Sequence, residues 1–254
     1  MRIAVLSDIH GVLPALEAVL AEPEVAGADL IALTGDMAAG PMPVETLDVL
    51  VSLGERALWV NGNADRELVE AVRGKDCPYP VSKWAAEQLR DDQVELLAGL
   101  PDRQVVELGR LGGTLFVHAT PRRDDEMILV DSSLERWGEV LAGESADTVV
   151  LGNTHMPFVR LADRVLVVNP GSVGMPYGKD GAHWALLDGE TGAVTLRRTP
   201  FDAARAAERL VRESGFGGIE EWVADYVTGV HSDAEALRVF AKAENRAENR
   251  AENR

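Results

Sequence analysis

Six short apolar runs, separated by helical patterns, limit what this chain can fold into. They are rich in Val, Ile and Leu and do not alternate with polar residues, which is typical of strands buried on both faces of a sheet. The runs are Ile3–Leu6, Leu30–Leu33, Ala57–Val60, Leu115–Val117, Val149–Leu151 and Val165–Val168. The helical patterns between them are Pro14–Ala21, Val44–Leu53, Asp65–Val72, Ser82–Ala98 and Ser132–Leu141. This alternation predicts an α/β architecture.

The pattern changes after residue 180. His183–Asp188 and Ala193–Arg198 flank the turn Gly189-Glu190-Thr191-Gly192 and predict a β-hairpin. Three helical candidates follow, at Asp202–Glu213, Ile219–Val227 and Asp233–Phe240. The chain ends in three copies of Ala-Glu-Asn-Arg, from Ala243 to Arg254. Polar repeats at a terminus favour a frayed tail, and the alternative is a helical extension packed on a neighbour.

Each apolar run is followed by side chains that can bind a cation or donate to an anion. In chain order these include Asp8, His10, Asp36, Asn63, His118, Asn153, His155, Asn169 and Ser172. Because the carboxyl ends of parallel strands meet at one edge of a sheet, we expect these groups to converge there. Taken singly, an acid after a strand is typical of a turn or cap, and a lone histidine of a structural role. Their joint occurrence favours a site.

A mixed set of carboxylate, imidazole and amide ligands suits Mn, Fe, Zn or Ni, whereas calcium takes oxygen ligands throughout. Two such ions about 3.5–4 Å apart commonly clamp the oxygens of a phosphoryl group and lower the pKa of a water molecule. The residue types therefore indicate metal-assisted hydrolysis.

The order of these segments is similar to that of a known family. Asp8-Ile9-His10, Gly35-Asp36, Gly62-Asn63, His118 and Gly152-Asn153-Thr154-His155 resemble the five motifs of the calcineurin-like metallophosphoesterases, above all the small prokaryotic phosphodiesterase branch. The resemblance covers about residues 1–200. Beyond the candidate ligands it includes the turn Asn169–Gly174. It implies a four-layer α/β/β/α sandwich of two mixed sheets for residues 1–200. Beyond it we expect helices packed on the same domain over 201–242 and the repeat tail over 243–254.

The resemblance also implies roles for individual residues. The first metal would be held by Asp8, His10 and His155, and the second by Asn63 and His118, with Asp36 bridging the two. Asp36, Asn63 and His118 are the predicted catalytic residues. The expected cofactors are two divalent ions, Mn²⁺ foremost, with Fe, Zn or Ni as alternatives. Asp65 is expected only to begin the helix after Asn63, and its replacement to leave metal binding largely intact.

Two positions depart from the family pattern. Asn153 stands where the family has a histidine ligand of the second metal, and an amide oxygen is a weaker donor than imidazole, so we expect a weak second site. Ala64 stands where many phosphatases of the superfamily have a histidine that acts near the leaving oxygen. Losing a positioned acid typically lowers a rate by about 10²–10⁴-fold. The absence of this histidine makes poor leaving groups, including those of many monoesters, less favourable substrates.

Three further residues are candidates for substrate binding. Arg122 follows His118 closely, and it can either clamp a phosphate or pair with the acids at 124–126. Asn169 and Ser172 lie in a glycine-rich turn that can either line a phosphate site or form a tight strand exit.

Charge and cysteine content limit partners and location. The chain has 42 acidic against 25 basic residues, a formal net charge of −17, which argues against binding a long nucleic acid. No apolar run approaches 18 residues, so no membrane span is expected. A single cysteine, Cys77, excludes an internal disulfide and favours a reduced, cytoplasmic location.

The sequence thus predicts a metal-dependent phosphoesterase, foremost a phosphodiesterase, that hydrolyses a small phosphate ester with a metal-activated water at a dinuclear site. The alternative is a non-catalytic protein of the same fold that acts as a binding or scaffold module with a degraded second metal site.

Overall fold

Ten strands form two five-stranded sheets in the part of the chain that the computed structural model describes, which is residues 1–229 and 231–252, with side chains up to Lys242 and at Glu244. In chain order the strands are β1 (Arg2–Leu6), β2 (Leu30–Leu33), β3 (Ala57–Trp59), β4 (Arg103–Glu107), β5 (Gly113–Val117), β6 (Thr148–Val150), β7 (Phe158–Ala162), β8 (Val165–Asn169), β9 (Ala182–Asp188) and β10 (Ala193–Thr199). The first sheet has the order β10-β9-β1-β2-β3 and the second β4-β5-β6-β8-β7.

Both sheets are mixed, as predicted. β1, β2 and β3 run parallel, and the hairpin β9–β10 joins them with β9 antiparallel to β1. In the second sheet β5, β6 and β8 run parallel, while β4 and β7 are antiparallel edge strands. The carboxyl ends of the parallel strands therefore gather at one edge of each sheet.

Helices cover the outer face of each sheet. They are α1 (Leu13–Leu20), α2 (Pro23–Ala26), α3 (Pro43–Val51), α4 (Asn63–Val72), α5 (Pro80–Gln88), α6 (Asp91–Ala98), α7 (Leu134–Val140), α8 (Ala203–Glu213), α9 (Ile219–Val223) and α10 (Asp233–Glu252). None of the described helices is both long and apolar enough to cross a lipid bilayer.

Alternate residues of the strands build three apolar layers. Val5 of β1 and Phe116 of β5 lie in the cluster between the two sheets. Leu6 and Leu33 point the other way, toward Leu16 of α1. On the far side, residues of the second sheet pack against Trp137 of α7. This arrangement is the four-layer α/β/β/α sandwich that the resemblance implied, and that prediction is confirmed.

Two local predictions were wrong. The helix expected over Ser82–Ala98 is two helices, because Leu89 has an extended backbone (ψ 138°) that ends α5 before α6 begins. The predicted start at Ser82 was also wrong, because α5 begins at Pro80 and Ser82 lies inside it.

The edge strands β4 and β7 were missed for a physical reason. Each has water on one side, so its residues alternate between exposed and partly buried positions instead of forming a continuous apolar run. Val105 is 60% exposed and Leu161 is 68% exposed. Neither strand resembles the doubly buried runs from which the sheet was predicted.

Helices α8 and α9 pack on the helical layer over the first sheet, whereas Ala236 of α10 packs with Leu129 and Met156. Leu210 of α8 and Trp222 of α9 belong to the same buried cluster as Leu16, and Arg209 pairs with Glu17 of α1. Helix α10 continues to Glu252 and so includes most of the Ala-Glu-Asn-Arg repeat, whose last two residues lie outside the described part. The division into segments at 200 and 242 stays a prediction.

We expect stability to fall in mild acid because of a buried histidine in β9. The His183 residue is 4% exposed, and both ring nitrogens lack a hydrogen-bond partner in the described part. Burial and the nearby Arg198 lower its pKa from 6.5 to about 4. The unfolded chain therefore takes up a proton near pH 6.5 and the folded chain only near pH 4, so the free energy of unfolding decreases as the pH falls through this window.

His183→Leu should reduce that loss, as measured by urea denaturation at pH 7 and pH 4.5. His231→Leu, at an exposed position, is the matched control and should leave the loss unchanged. An equal loss in wild type and His183→Leu would contradict the assignment.

Candidate metal centre

Five loops at the carboxyl ends of parallel strands lie against one another. Asp8 and His10 follow β1, Asp36 follows β2, Asn63 begins α4 after β3, His118 follows β5, and Asn153 and His155 follow β6. The loops are tied by backbone hydrogen bonds. The amide of His10 donates to the carbonyl of Asp36 at 3.0 Å, and the amide of Gly152 donates to that of His118 at 2.6 Å. Residues up to 147 positions apart are thereby brought together.

Two groups of side chains are close enough to hold a cation each. Asp8, His10 and His155 form the first, and Asp8, Asp36 and His118 the second. Within each group the candidate ligand atoms lie within 4.8 Å of one another. Asp8 is thus common to both, while Asp36 Oδ2 lies 3.7 Å from His10 Nε2 and 3.3 Å from His118 Nε2. Both carboxylates, and not Asp36 alone, are therefore placed between the groups.

The hydrogen position on each histidine follows from its second nitrogen. Nδ1 lies 2.7 Å from the Thr34 carbonyl in His118, 2.8 Å from the Met175 carbonyl in His155, and 3.3 Å from the Ala39 carbonyl in His10. A carbonyl only accepts hydrogen bonds, so Nδ1 carries the hydrogen. In the neutral ring Nε2 then carries a lone pair, and this is the form of histidine that binds metals.

These lone pairs face other acceptors. His155 Nε2 lies 3.2 Å from Asp8 Oδ1 and 3.2 Å from His10 Nε2. Asp8 Oδ1 is buried and has no hydrogen-bond partner among the described residues. Acceptors at such distances repel unless a positive charge lies between them. The 3.3 Å from Asp36 Oδ2 to His118 Nε2 is shorter than two metal–ligand bonds of about 2.0–2.2 Å each, so one ion can touch both. The residues fit divalent cations.

The pKa values show the same demand for positive charge. Burial by itself would lower the pKa of His118, but Asp36 outweighs it and raises that pKa to about 10. Burial likewise would raise the pKa of Asp36, yet His118 and His10 hold it below its usual value. A proton on His118 thus takes the place that a cation would fill.

The backbone at these positions is in the left-handed region, which residues other than glycine rarely adopt. The φ values are 53° at Asp8, 48° at His10, 55° at Asp36, 63° at Asn153 and 56° at His155. Each such residue costs on the order of 1–3 kcal/mol, and strain of this kind concentrates at functional sites.

Asp65 holds the Asp36 loop and is a residue whose role the sequence did not indicate. It is fully buried and accepts hydrogen bonds from the backbone amides of Asp36 (2.8 Å), Met37 (2.9 Å) and Gly62 (3.1 Å). Burial, with the nearby charge of Asp36, raises its pKa to about 7. The expectation that Asp65 only begins a helix is therefore incomplete, since it orients a candidate ligand.

The two asparagines occupy different positions. Asn63 Oδ1 lies 3.2 Å from His118 Nε2, so this oxygen faces the cluster. Asn153 donates its backbone amide to Asp8 Oδ2 at 3.1 Å, and its side-chain nitrogen lies 3.9 Å from Met127 Sδ. Its side chain lines the cavity beside the cluster.

The structure does not bring the three predicted substrate-binding side chains into this cavity. Arg122 pairs with Glu126 on a partly exposed loop. Asn169 is fully buried and donates to the Gly152 carbonyl at 2.8 Å, and Ser172, also fully buried, donates to the Asp8 carbonyl at 2.7 Å. Asn169 and Ser172 thus position the loops of the cluster from behind, because the strand exit is tight.

A cavity of about 550 Å³ opens from the cluster. One end is lined by candidate ligand residues such as His10, Asp36 and His155. The other wall is aromatic and comes largely from residues after 200, which the sequence did not connect to the site. The one signal was the spacing of Trp222 and Tyr226, four residues apart.

Comparison with known proteins agrees with this geometry. The profile of the Calcineurin-like phosphoesterase superfamily domain matches residues 1–192. The chain is 27% identical over 252 residues to an uncharacterized protein of Methanocaldococcus jannaschii, covering 88% of this chain and 96% of that one. It is 24% identical over 203 residues to phosphodiesterase YfcE of Escherichia coli K12, covering 76% and 91%.

Among solved structures, the metallophosphoesterase of Sphaerobacter thermophilus superposes with a TM-score of 0.71 at 25% identity, covering 88% of this chain and 99% of that chain. The match of the superfamily profile to three quarters of the sequence, together with the two mixed sheets and the cluster of acids and histidines at their edge, shows the family. The chain belongs to the calcineurin-like phosphoesterase superfamily, whose members use divalent metals.

Proposed function

We propose that the chain is a metal-dependent phosphodiesterase acting on a small ester. Asp8, His10 and His155 would hold one divalent cation, and Asn63 and His118 a second, with Asp36 contributing to both. Mn²⁺ is the expected ion, with Fe, Zn or Ni as alternatives. The observation that carries the proposal is the set of imidazole Nε2 atoms that face carboxylate oxygens at 3.2–3.7 Å, an arrangement that requires a positive charge between them. When bound, such cations supply Lewis acidity toward the phosphoryl oxygens and lower the pKa of a water molecule.

Neighbouring backbone groups orient the candidate ligand atoms and so determine where a phosphoryl group would bind. The Thr34, Ala39 and Met175 carbonyls orient the imidazoles, and the Ala64 amide donates to Asp36 Oδ1 at 2.7 Å, leaving Oδ2 toward the cluster. The phosphoryl group would therefore be held where these oxygens and nitrogens converge.

The cavity wall beside Asp36 explains a preference for diesters with good leaving groups. Ala64 lines the cavity and its methyl group has no proton to give. The leaving oxygen would thus depart without a positioned acid at this place, which favours alcohols of low pKa such as phenols.

Metal content and turnover together test the proposal. Protein stripped with a chelator and reloaded with Mn²⁺ should bind ions and hydrolyse bis(4-nitrophenyl) phosphate faster than 4-nitrophenyl phosphate, and chelation should abolish the reaction. Protein that binds no divalent ion and turns over neither ester would support the alternative, a non-catalytic member, which Ala64 and Asn153 favour.

Asn153→His should tighten the weaker metal site. Imidazole is a stronger donor than an amide oxygen, and the backbone bond from residue 153 to Asp8 does not depend on the side chain. We expect the second dissociation constant to fall about tenfold, as measured by calorimetric titration with Mn²⁺. The backbone at this position is left-handed (φ 63°), and His10 (φ 48°) and His155 (φ 56°) show that histidine adopts this region in the same site.

Asn153→Ala is the control, which removes the side chain without supplying a donor. Two equally tight sites in wild type, unchanged in Asn153→His, would show that another group completes the second site.

A further inference from the structure

The far wall of the cavity is built from aromatic rings that follow one another from the metal cluster outward. Tyr177 lies against the candidate ligand His155, with ring centroids 5.8 Å apart, and Phe240 of α10 meets Tyr177 edge-on, also at 5.8 Å. Trp222 and Tyr226 contact each other at 5.2 Å. All four side chains line the cavity. A group attached to a phosphate at the cluster would therefore lie among these rings.

The charged groups of this wall have a single sign. Among the described residues that line the cavity there is no Lys or Arg, and the carboxylates away from the cluster are Glu67, Glu221 and Asp225. Glu221 of α9, and Asp225 just after α9, line the same cavity as Trp222 and Tyr226. The field at this end of the cavity is therefore negative.

The combination of aromatic rings and carboxylates favours a ligand that carries a positive charge. Ring faces attract cations through their quadrupole, and nearby carboxylates add Coulomb attraction. The same carboxylates repel a second phosphate or a carboxylate on the ligand. A neutral group of equal size gains only from apolar contact, so the acidic residues discriminate in favour of a cation.

We propose that the ester retains an alcohol bearing a substituted ammonium group, which binds between the aromatic wall and Glu221 and Asp225 while the phosphate lies at the metal cluster. The inference rests on the proposed phosphodiesterase function. It assigns a specificity role to the helices after residue 200, beyond the segment matched by the family profile.

Three 4-nitrophenyl phosphodiesters test it, because they share a leaving group and differ in the other alcohol. One carries choline, the second 3,3-dimethylbutanol, in which a carbon replaces the charged nitrogen, and the third a thymidine 5′-hydroxyl. We expect kcat/KM for the choline ester to exceed that for the dimethylbutyl ester about tenfold. Equal values, or a preference for the thymidine ester, would overturn the inference and leave the proposed function standing.

Variants locate the effect. Glu221→Gln combined with Asp225→Asn should bring the choline-to-dimethylbutyl ratio close to one, and both positions are exposed, so folding is not at risk. Glu220→Gln, an exposed neighbour that does not line the cavity, should leave the ratio unchanged. A ratio that is insensitive to the double variant would contradict the assignment to these carboxylates.

A binding measurement separates this inference from the proposed function. Phosphocholine and 3,3-dimethylbutyl phosphate can be titrated into the Mn²⁺-loaded protein by calorimetry without any turnover. If no ester is hydrolysed and phosphocholine still binds about tenfold more tightly, the phosphodiesterase proposal is wrong and the cation site stands. Equal binding of the two would overturn the cation site whatever the activity.

Discussion

Asp36→Asn is expected to lower kcat/KM for bis(4-nitrophenyl) phosphate by on the order of 10³-fold and to weaken the binding of divalent ions. The amide keeps the shape of the side chain and an oxygen to accept the Ala64 amide, so the loop is retained. What is lost is the charge that lies 3.3 Å from His118 Nε2 and 3.7 Å from His10 Nε2. Metal content per chain and steady-state kinetics measure both effects.

Asp180→Asn is the matched control, since Asp180 is an exposed acid that pairs with Arg198 and is not among the residues described as lining the cavity. It should change neither metal content nor rate. Activity in Asp36→Asn within tenfold of wild type would show that Asp36 is not a ligand and that the motif assignment is wrong.

Asp65→Ala should be the most destabilising single change near the site. It leaves the buried backbone amides of Asp36, Met37 and Gly62 without their acceptor. An unsatisfied buried donor costs about 1–3 kcal/mol, so we expect the free energy of unfolding to fall by roughly 3 kcal/mol or more. Because the Asp36 loop loses its anchor, metal affinity should fall about 10–100-fold as well. Urea denaturation and metal titration check the two effects.

Asp65→Asn separates the loss of acceptors from the loss of charge. It keeps one carbonyl oxygen, so we expect a smaller loss of stability than in Asp65→Ala. Wild-type stability and metal affinity in Asp65→Ala would contradict the positioning role and return this residue to the helix-starting role that the sequence indicates.

The local pattern determined the architecture of the sheets. Runs such as Ile3–Leu6 and Val149–Leu151 are buried on both faces, so their composition is continuous and recognisable. The groups that follow them are adjacent in sequence to a strand end, and strand ends of parallel strands must share an edge. The rule predicts that the groups after β1, β2 and β3 lie at one edge of the first sheet and those after β5 and β6 at one edge of the second. The packing of the two sheets brings the two sets together, and the roles of these residues as metal ligands stay predictions.

The roles of some polar side chains depend on which distant segment they contact, and only the tertiary structure determines that. Asn169 and Ser172 have the composition of a phosphate-binding turn, yet the strand exit buries both against the loops of the cluster. Asp65 has the sequence position of a helix-starting acid, but the Asp36 loop, 29 residues earlier, supplies amides to its carboxylate.

The cavity shows the same division most clearly. Its metal end follows from strand ends and was predictable, because backbone topology fixes it. Its aromatic wall depends on how α9 and α10 pack across the site, which places Trp222 and Phe240 in a cavity with His10, more than 200 positions away in sequence. These contacts join segments far apart in sequence, and local spacing does not show which distant segment a side chain meets, so only the folded structure reveals them.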